Sequence, residues 1–237
     1  ASALHVTNPF MLQHAQEARG YMLAVLLVLM GQLALLRVVE RGGVRWVALY
    51  AVSQGLAAYA HLFALWILGA QLIAWAPLYL APSARRRAML VALLLAGLLG
   101  VPLLWQIAGT GAAQVGWIRP VSGPALLALP LVWTGGDAAL ALATCALFAC
   151  FARGLWASEQ SLRRETRWVV AWLVVPTLAA LIVSLCIAPM LLPKYLIMSV
   201  PALQLAAAVS LTRAPRRLGF ASAALLIGLA ALRVEHG

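Results

Sequence analysis

Residues 46–80 read WVALYAVSQGLAAYAHLFALWILGAQLIAWAPLYL, an apolar run of 35 residues. An α-helix needs about 20 apolar residues to cross a hydrocarbon core of roughly 30 Å. The run is therefore too long for one crossing and fits two short ones joined by a tight turn near Ala60-His61. On either side the pattern repeats: apolar stretches of about span length alternate with short arginine clusters.

Composition agrees. Of the 237 residues, 65% are hydrophobic and 10% charged, a balance that leaves a soluble fold too little polar surface to cover itself. No segment alternates polar and apolar residues as an outer-membrane strand does, and helices are the other structure that satisfies its own backbone in lipid. The expected fold class is all-α, a polytopic transmembrane bundle. The net charge of +11 sits in short loops, not on a soluble face, so the chain is read as having no nucleic-acid partner. Cys145, Cys150 and Cys186 fall inside apolar helices without metal-ligand spacing and read as small packing residues.

Local signals punctuate the spans. Thr7-Asn8-Pro9 offers an N-cap before a proline at the first helical position, and a helix is expected to run from there through MLQHAQEARGY into a first span over about Gly20 to Leu36. Gly42-Gly43 ends it. After the two spans of residues 46–80, a fourth covers about Met89 to Leu104. Residues 107–136, rich in Gly and Pro with Arg119 as their one charge, read as an external loop, part of it re-entrant. Asp137 fits an N-cap for a fifth span ending near Phe151. Further spans are expected from Trp168 to Ile187, Leu196 to Leu211 and Leu218 to Leu232, making about eight.

The loops then sort by charge. One side holds Arg37, Arg41, Arg45, Arg85, Arg86, Arg87, Arg153, Arg163, Arg164, Arg167, Arg213, Arg216 and Arg217, thirteen of the 17 basic residues. The other holds Arg19, Arg119, Lys194 and Arg233. By the positive-inside rule the first side is cytoplasmic and both chain ends are extracytoplasmic, with residues 1–18 an interfacial segment and 19–237 the bundle. The beginning, ASALHVTNPF, has no initiator Met or signal peptide, and the chain is expected to be part of a longer protein.

Cations on the disfavoured side need a reason, because charge near hydrocarbon is costly. For Arg233, beside the chain end, snorkelling supplies one. Arg19, Arg119 and Lys194 instead lie beside aromatic or polar residues in segments broken by Gly or Pro. Gln13, His14, Glu17 and Tyr21 share one helical face, whereas Arg19 lies some 160° from Glu17, so the two need partners on other helices. The competing reading is an amphipathic interfacial helix. His61, in YAHLF, and Asp137 have bland alternatives as an interfacial histidine and a helix cap.

NPFMLQHAQEARGYMLAVLLVLM at 8–30, YAHLF at 59–63, QVGWIRP at 114–120 and LPKYLIMSVPALQLAAA at 192–208 resemble, in that order and spacing, the polyprenyl-phosphate-sugar-dependent glycosyltransferases of the GT-C superfamily. The group in question is the protein mannosyltransferase-like family 39, and the similarity covers most of the chain. QEARGY is similar to the family's Gln-Glu-Ala-Arg-x-Tyr. PKYLIMSVPAL is similar to its Pro-x-x-x-Arg-Tyr-Leu motif but has Lys194 where arginine is usual, which keeps the charge and loses the bidentate fork. The resemblance implies a plasma (inner) membrane enzyme that moves a sugar from a polyprenyl-phosphate donor to an extracytoplasmic acceptor, with membrane lipid and that donor as partners. It implies donor-phosphate contacts from Arg19, Arg119 and Lys194, and a cavity lined by Tyr21, His61, Trp117 and Tyr195. Glu17 would orient Arg19 or an acceptor hydroxyl. The family's catalytic acidic pair has no counterpart here, so no metal site or cofactor is expected within the chain, and a divalent metal would belong to the acidic loop of a longer protein. The alternative is a transporter or flippase component, expected to show charged or broken helices at mid-membrane.

Overall fold

The computed structural model describes residues 2–15, 20–80, 84–115, 117–118 and 120–235, and no strand occurs among them. Two short helices, α1 (Ser2–Val6) and α2 (Pro9–Ala15), precede α3 (Tyr21–Arg41), α4 (Val44–Ala60), α5 (Ala64–Leu80) and α6 (Ala84–Val115). The short α7 (Gly123–Leu127) and α8 (Leu129–Trp133) follow, then α9 (Ala138–Ala152), α10 (Gln160–Cys186), α11 (Val200–Arg213) and α12 (Arg216–Glu235). A 3₁₀ turn over Pro193–Ser199 leads into α11.

Among the described residues five helical stretches are long and apolar enough to cross a membrane: Tyr21–Arg41, Arg85–Gln106, Ala138–Trp156, Gln160–Cys186 and Pro193–Arg213. Their outward faces support a lipid environment. Along α6, Leu90, Val91, Leu94, Leu95, Leu98 and Leu99 are all exposed, a stripe that water would not tolerate. The chain is a membrane helix bundle.

The expected punctuation falls where chemistry put it. Asn8 caps α2, its Oδ1 accepting from the Met11 amide at 3.0 Å, and Pro9 opens the helix. Asp137 caps α9 through Leu140 N at 2.9 Å. Gly42 and Gly43 adopt φ +67° and +100°, the left-handed region that a side chain resists, and so separate α3 from α4. The 46–80 run does break at 61–63, between α4 and α5, though neither helix is among those five stretches.

Several boundaries differ. α3 starts at Tyr21, with Gly20 in a turn, where a helix continuous from Pro9 was expected. The reason is packing: a Cβ on Gly20 would lie 2.7 Å from the Ala60 carbonyl oxygen, so the start of α3 is pressed against the end of α4. α6 continues past Leu104 to Val115, running through Gly109 and Gly111, since no proline intervenes before Pro120. The rest of the supposed loop folds into α7 and α8, each with a proline in its first turn. α10 begins at Gln160, eight residues before Trp168, because SLRRETR is made largely of good helix formers. The three cysteines are exposed on outward faces, so they do not pack inside.

Buried side chains form two main clusters. One gathers Phe10, Tyr21, Phe63, Trp133, Trp172 and Leu196; the other gathers Leu35, Tyr50, Trp75 and Met89. Tyr21 and Arg41 mark the two ends of the same 21-residue helix, about 30 Å long at 1.5 Å per residue; the first cluster runs from Tyr21 along the bundle as far as Phe151 and Val169, whereas the second lies toward the Arg41 end. The second end also collects arginine loops: Arg167 Nε donates to the Ala74 carbonyl at 2.7 Å, and the Arg213 guanidinium lies 5.7 Å from the Phe151 ring.

Candidate functional site

The first end holds Tyr21, His61, Trp117, Lys194 and Tyr195, all singled out from sequence. Tyr21, at the start of α3, stacks at 5.2 Å between centroids on His61 in the α4–α5 turn. His61 in turn meets Tyr195 of the 3₁₀ turn at 5.4 Å, and Phe63 closes the group at 4.9 Å from Tyr195. His14 reaches Tyr21 edge-on at 5.6 Å, and its Nδ1 donates to the Phe10 carbonyl at 2.9 Å. Lys194 precedes Tyr195, and its Nζ sits 5.7 Å over the Trp117 ring, within range of a cation–π attraction. Tyr21, His61, Tyr195, Lys194 and Trp117 thus form one continuous train of contacts. Glu17, Arg19 and Arg119 lie outside the described residues.

The state of His61 follows from its surroundings. Burial lowers its pKa from 6.5 to about 4, so the ring is neutral near pH 7. Its Nδ1 accepts from the Phe63 amide at 3.3 Å, which leaves the proton on Nε2. A neutral imidazole with one fixed donor can hydrogen-bond a hydroxyl or phosphate oxygen without adding charge.

Two residues that the sequence did not mark as part of the site, Trp133 and the helix cap Asn8, hold the Lys194 turn in place. Trp133 Nε1 donates to the Pro193 carbonyl at 3.3 Å, and Asn8 Nδ2 donates to the Trp133 carbonyl at 2.9 Å. The leading segment, α8 and the 3₁₀ turn are therefore linked through one tryptophan. Its position before Thr134-Gly135-Gly136 marked a turn but not its partners. Beside this assembly opens a groove of about 570 Å³, lined among others by Trp117, Val121, Leu129, Val132, Leu191 and Pro193. Its walls are mainly apolar, with a cation at one edge.

No family model, curated protein or solved structure matches the chain. Its chemistry must be argued from the site alone. Among the described residues no cluster of three or more His, Cys, Asp or Glu could hold a metal ion. What this end offers is a cation, a neutral histidine and tyrosine hydroxyls next to an apolar groove, suited to a lipid carrying an anionic head.

Proposed function

We propose that the chain is part of an eight-span glycosyltransferase of the plasma (inner) membrane, with both described ends extracytoplasmic, that takes a sugar from a polyprenyl-phosphate donor. The observation that carries this reading is Lys194 held over Trp117 at the edge of the apolar groove, at the end of the bundle away from the arginine loops. The groove would take the first isoprene units, and Lys194 would compensate the phosphate that departs as the sugar transfers, a charge term that weighs heavily in such reactions. Arg19 and Arg119 are proposed to add to that compensation, and Glu17 to orient Arg19 or the acceptor. Tyr21, His61 and Tyr195 would form the wall that excludes water.

The test is a photoreactive polyprenyl-phosphate analogue added to the purified chain. Labelling should fall within residues 117–132 and 191–195, drop about tenfold in Lys194→Gln and persist in Lys194→Arg. Labelling spread over lipid-facing leucines and indifferent to Lys194→Gln rejects the reading. A flippase component is the second reading, favoured by the polar side chains of Gln32, Gln54 and Gln71 buried in α3, α4 and α5. Movement of a fluorescent polyprenyl phosphate across vesicles without sugar transfer would select it.

A further inference from the structure

The opposite end of the bundle carries a second cavity, of about 410 Å³, lined by Pro77, Gln160, Ser161, Arg163, Arg164 and Arg167. Loop arginines that serve topology need neither a cavity nor a shared direction. Here, at about 100° per residue, the three arginines fall within a 100° arc of α10, and Glu165 lies on the far side of the helix. Two of the three are held in place by backbone. Arg167 donates through Nε to Ala74 at 2.7 Å, and Arg163 donates through Nε and one terminal nitrogen to Ala157 at 3.0 and 2.7 Å. Arg164 lies 6.0 Å over Trp75. Among the described residues no carboxylate stands within ion-pair distance of any of them. Glu159 at the rim is engaged by the Ser161 hydroxyl.

Holding three guanidinium groups together without a counter-charge is unfavourable unless an anion joins them. The first turn of α10 adds to the attraction. Glu159 makes no side-chain cap to it, and Gln160 and Ser161 of that turn line the cavity at the positive end of a 27-residue helix. The cavity also sits at a boundary in depth: the apolar part of α10 begins with Trp168 just beyond Arg167.

We propose that this cavity binds the phosphate headgroup of an anionic phospholipid from the leaflet that meets the arginine-rich end. A headgroup placed here puts its phosphate among the arginine forks, where two-point contacts favour arginine over lysine. Its acyl chains would lie along the exposed faces of α5 and α10. Basic pockets between helices on this side of a membrane are suited to such lipids.

The experiment is native mass spectrometry of the purified chain with phosphatidylglycerol or phosphatidylcholine added to the detergent. Wild type should retain phosphatidylglycerol at least tenfold better than phosphatidylcholine, and millimolar inorganic phosphate should not displace it. R163Q/R164Q/R167Q should lose that preference, while R41Q/R45Q/R217Q, with the same loss of charge elsewhere, should keep it. R164K/R167K retains the charge needed for insertion and should weaken retention several-fold. Equal loss in both glutamine variants, full retention in the lysine variant, or displacement by inorganic phosphate would each overturn the lipid site.

Discussion

Burial holds His61 at a pKa of about 4 against an ordinary 6.5, so the unfolded chain takes up a proton across that window before the folded one does. Proton uptake by the unfolded state alone means that stability rises with pH there and is lost as pH falls from about 6.5 toward 4. The full shift corresponds to about 3 kcal/mol at 1.36 kcal/mol per unit. Thermal melts in one detergent at pH 7 and pH 4.5 should therefore differ clearly for wild type and much less for His61→Asn, whose side-chain oxygen can still accept from the Phe63 amide. An equal pH dependence in both proteins would remove His61 as the cause. Asp137 is the simpler case: it bonds Leu140 N, and Asp137→Ala should cost about 1 kcal/mol, within the range for lost caps, without altering donor labelling. Both residues were visible in the sequence, His61 as a lone polar group in an apolar hairpin and Asp137 as a cap after two glycines. What the sequence could not show was the packing of Tyr21 and Tyr195 on His61, because those contacts join segments 40 and 134 residues apart in the chain.

Helix contacts turn on two glycines that look alike in sequence and differ in what faces them. A Cβ at Gly20 would meet the Ala60 carbonyl oxygen at 2.7 Å, whereas one at Gly31 would meet Gln54 Nε2 at 2.3 Å. The second distance is shorter, yet the first obstacle is backbone and the second is the end of a flexible side chain. Gly20→Ala must push α3 away from α4 and the His61 turn, at a cost of about 1–3 kcal/mol typical of overpacking. Gly31→Ala can displace Gln54 and gains up to about 1 kcal/mol of helix propensity. The expected order of melting temperatures in one detergent is thus wild type close to Gly31→Ala, with Gly20→Ala lowest. The reverse order would mean that Gln54 is held more firmly than its unpartnered amide suggests. Legibility at this scale followed local chemistry. Starts and breaks written as Asn8-Pro9, Gly42-Gly43 and Asp137 were readable, because each acts on its own turn. The end of α6 and the start of α10 were not, since the one runs on through Gly109 and Gly111 and the other begins in the polar stretch ahead of Trp168.

The whole molecule has two chemically different ends, and its orientation is the property most exposed to a direct test. One end carries the arginine loops, tied together by Arg167 on Ala74 and Arg213 over Phe151. The other carries the aromatic train from Tyr21 to Trp117, with Lys194 as its cation. Charge bias alone reads the first end as cytoplasmic. Cys145, Cys150 and Cys186 are exposed and would confuse a thiol assay, so each is first replaced by alanine. Single cysteines are then placed at Arg41, Arg86, Arg164 and Arg216, and a fifth at Trp117, which is 63% exposed at the opposite end. An impermeant maleimide applied to intact cells should label Trp117→Cys alone, and the other four only after permeabilisation. Labelling of any two of those four from outside would invert the molecule. Lys194 and the apolar groove would then face the cytoplasm, away from the extracytoplasmic acceptor that the proposed reaction requires. The arginine cavity, by contrast, would keep its chemistry and exchange one leaflet for the other.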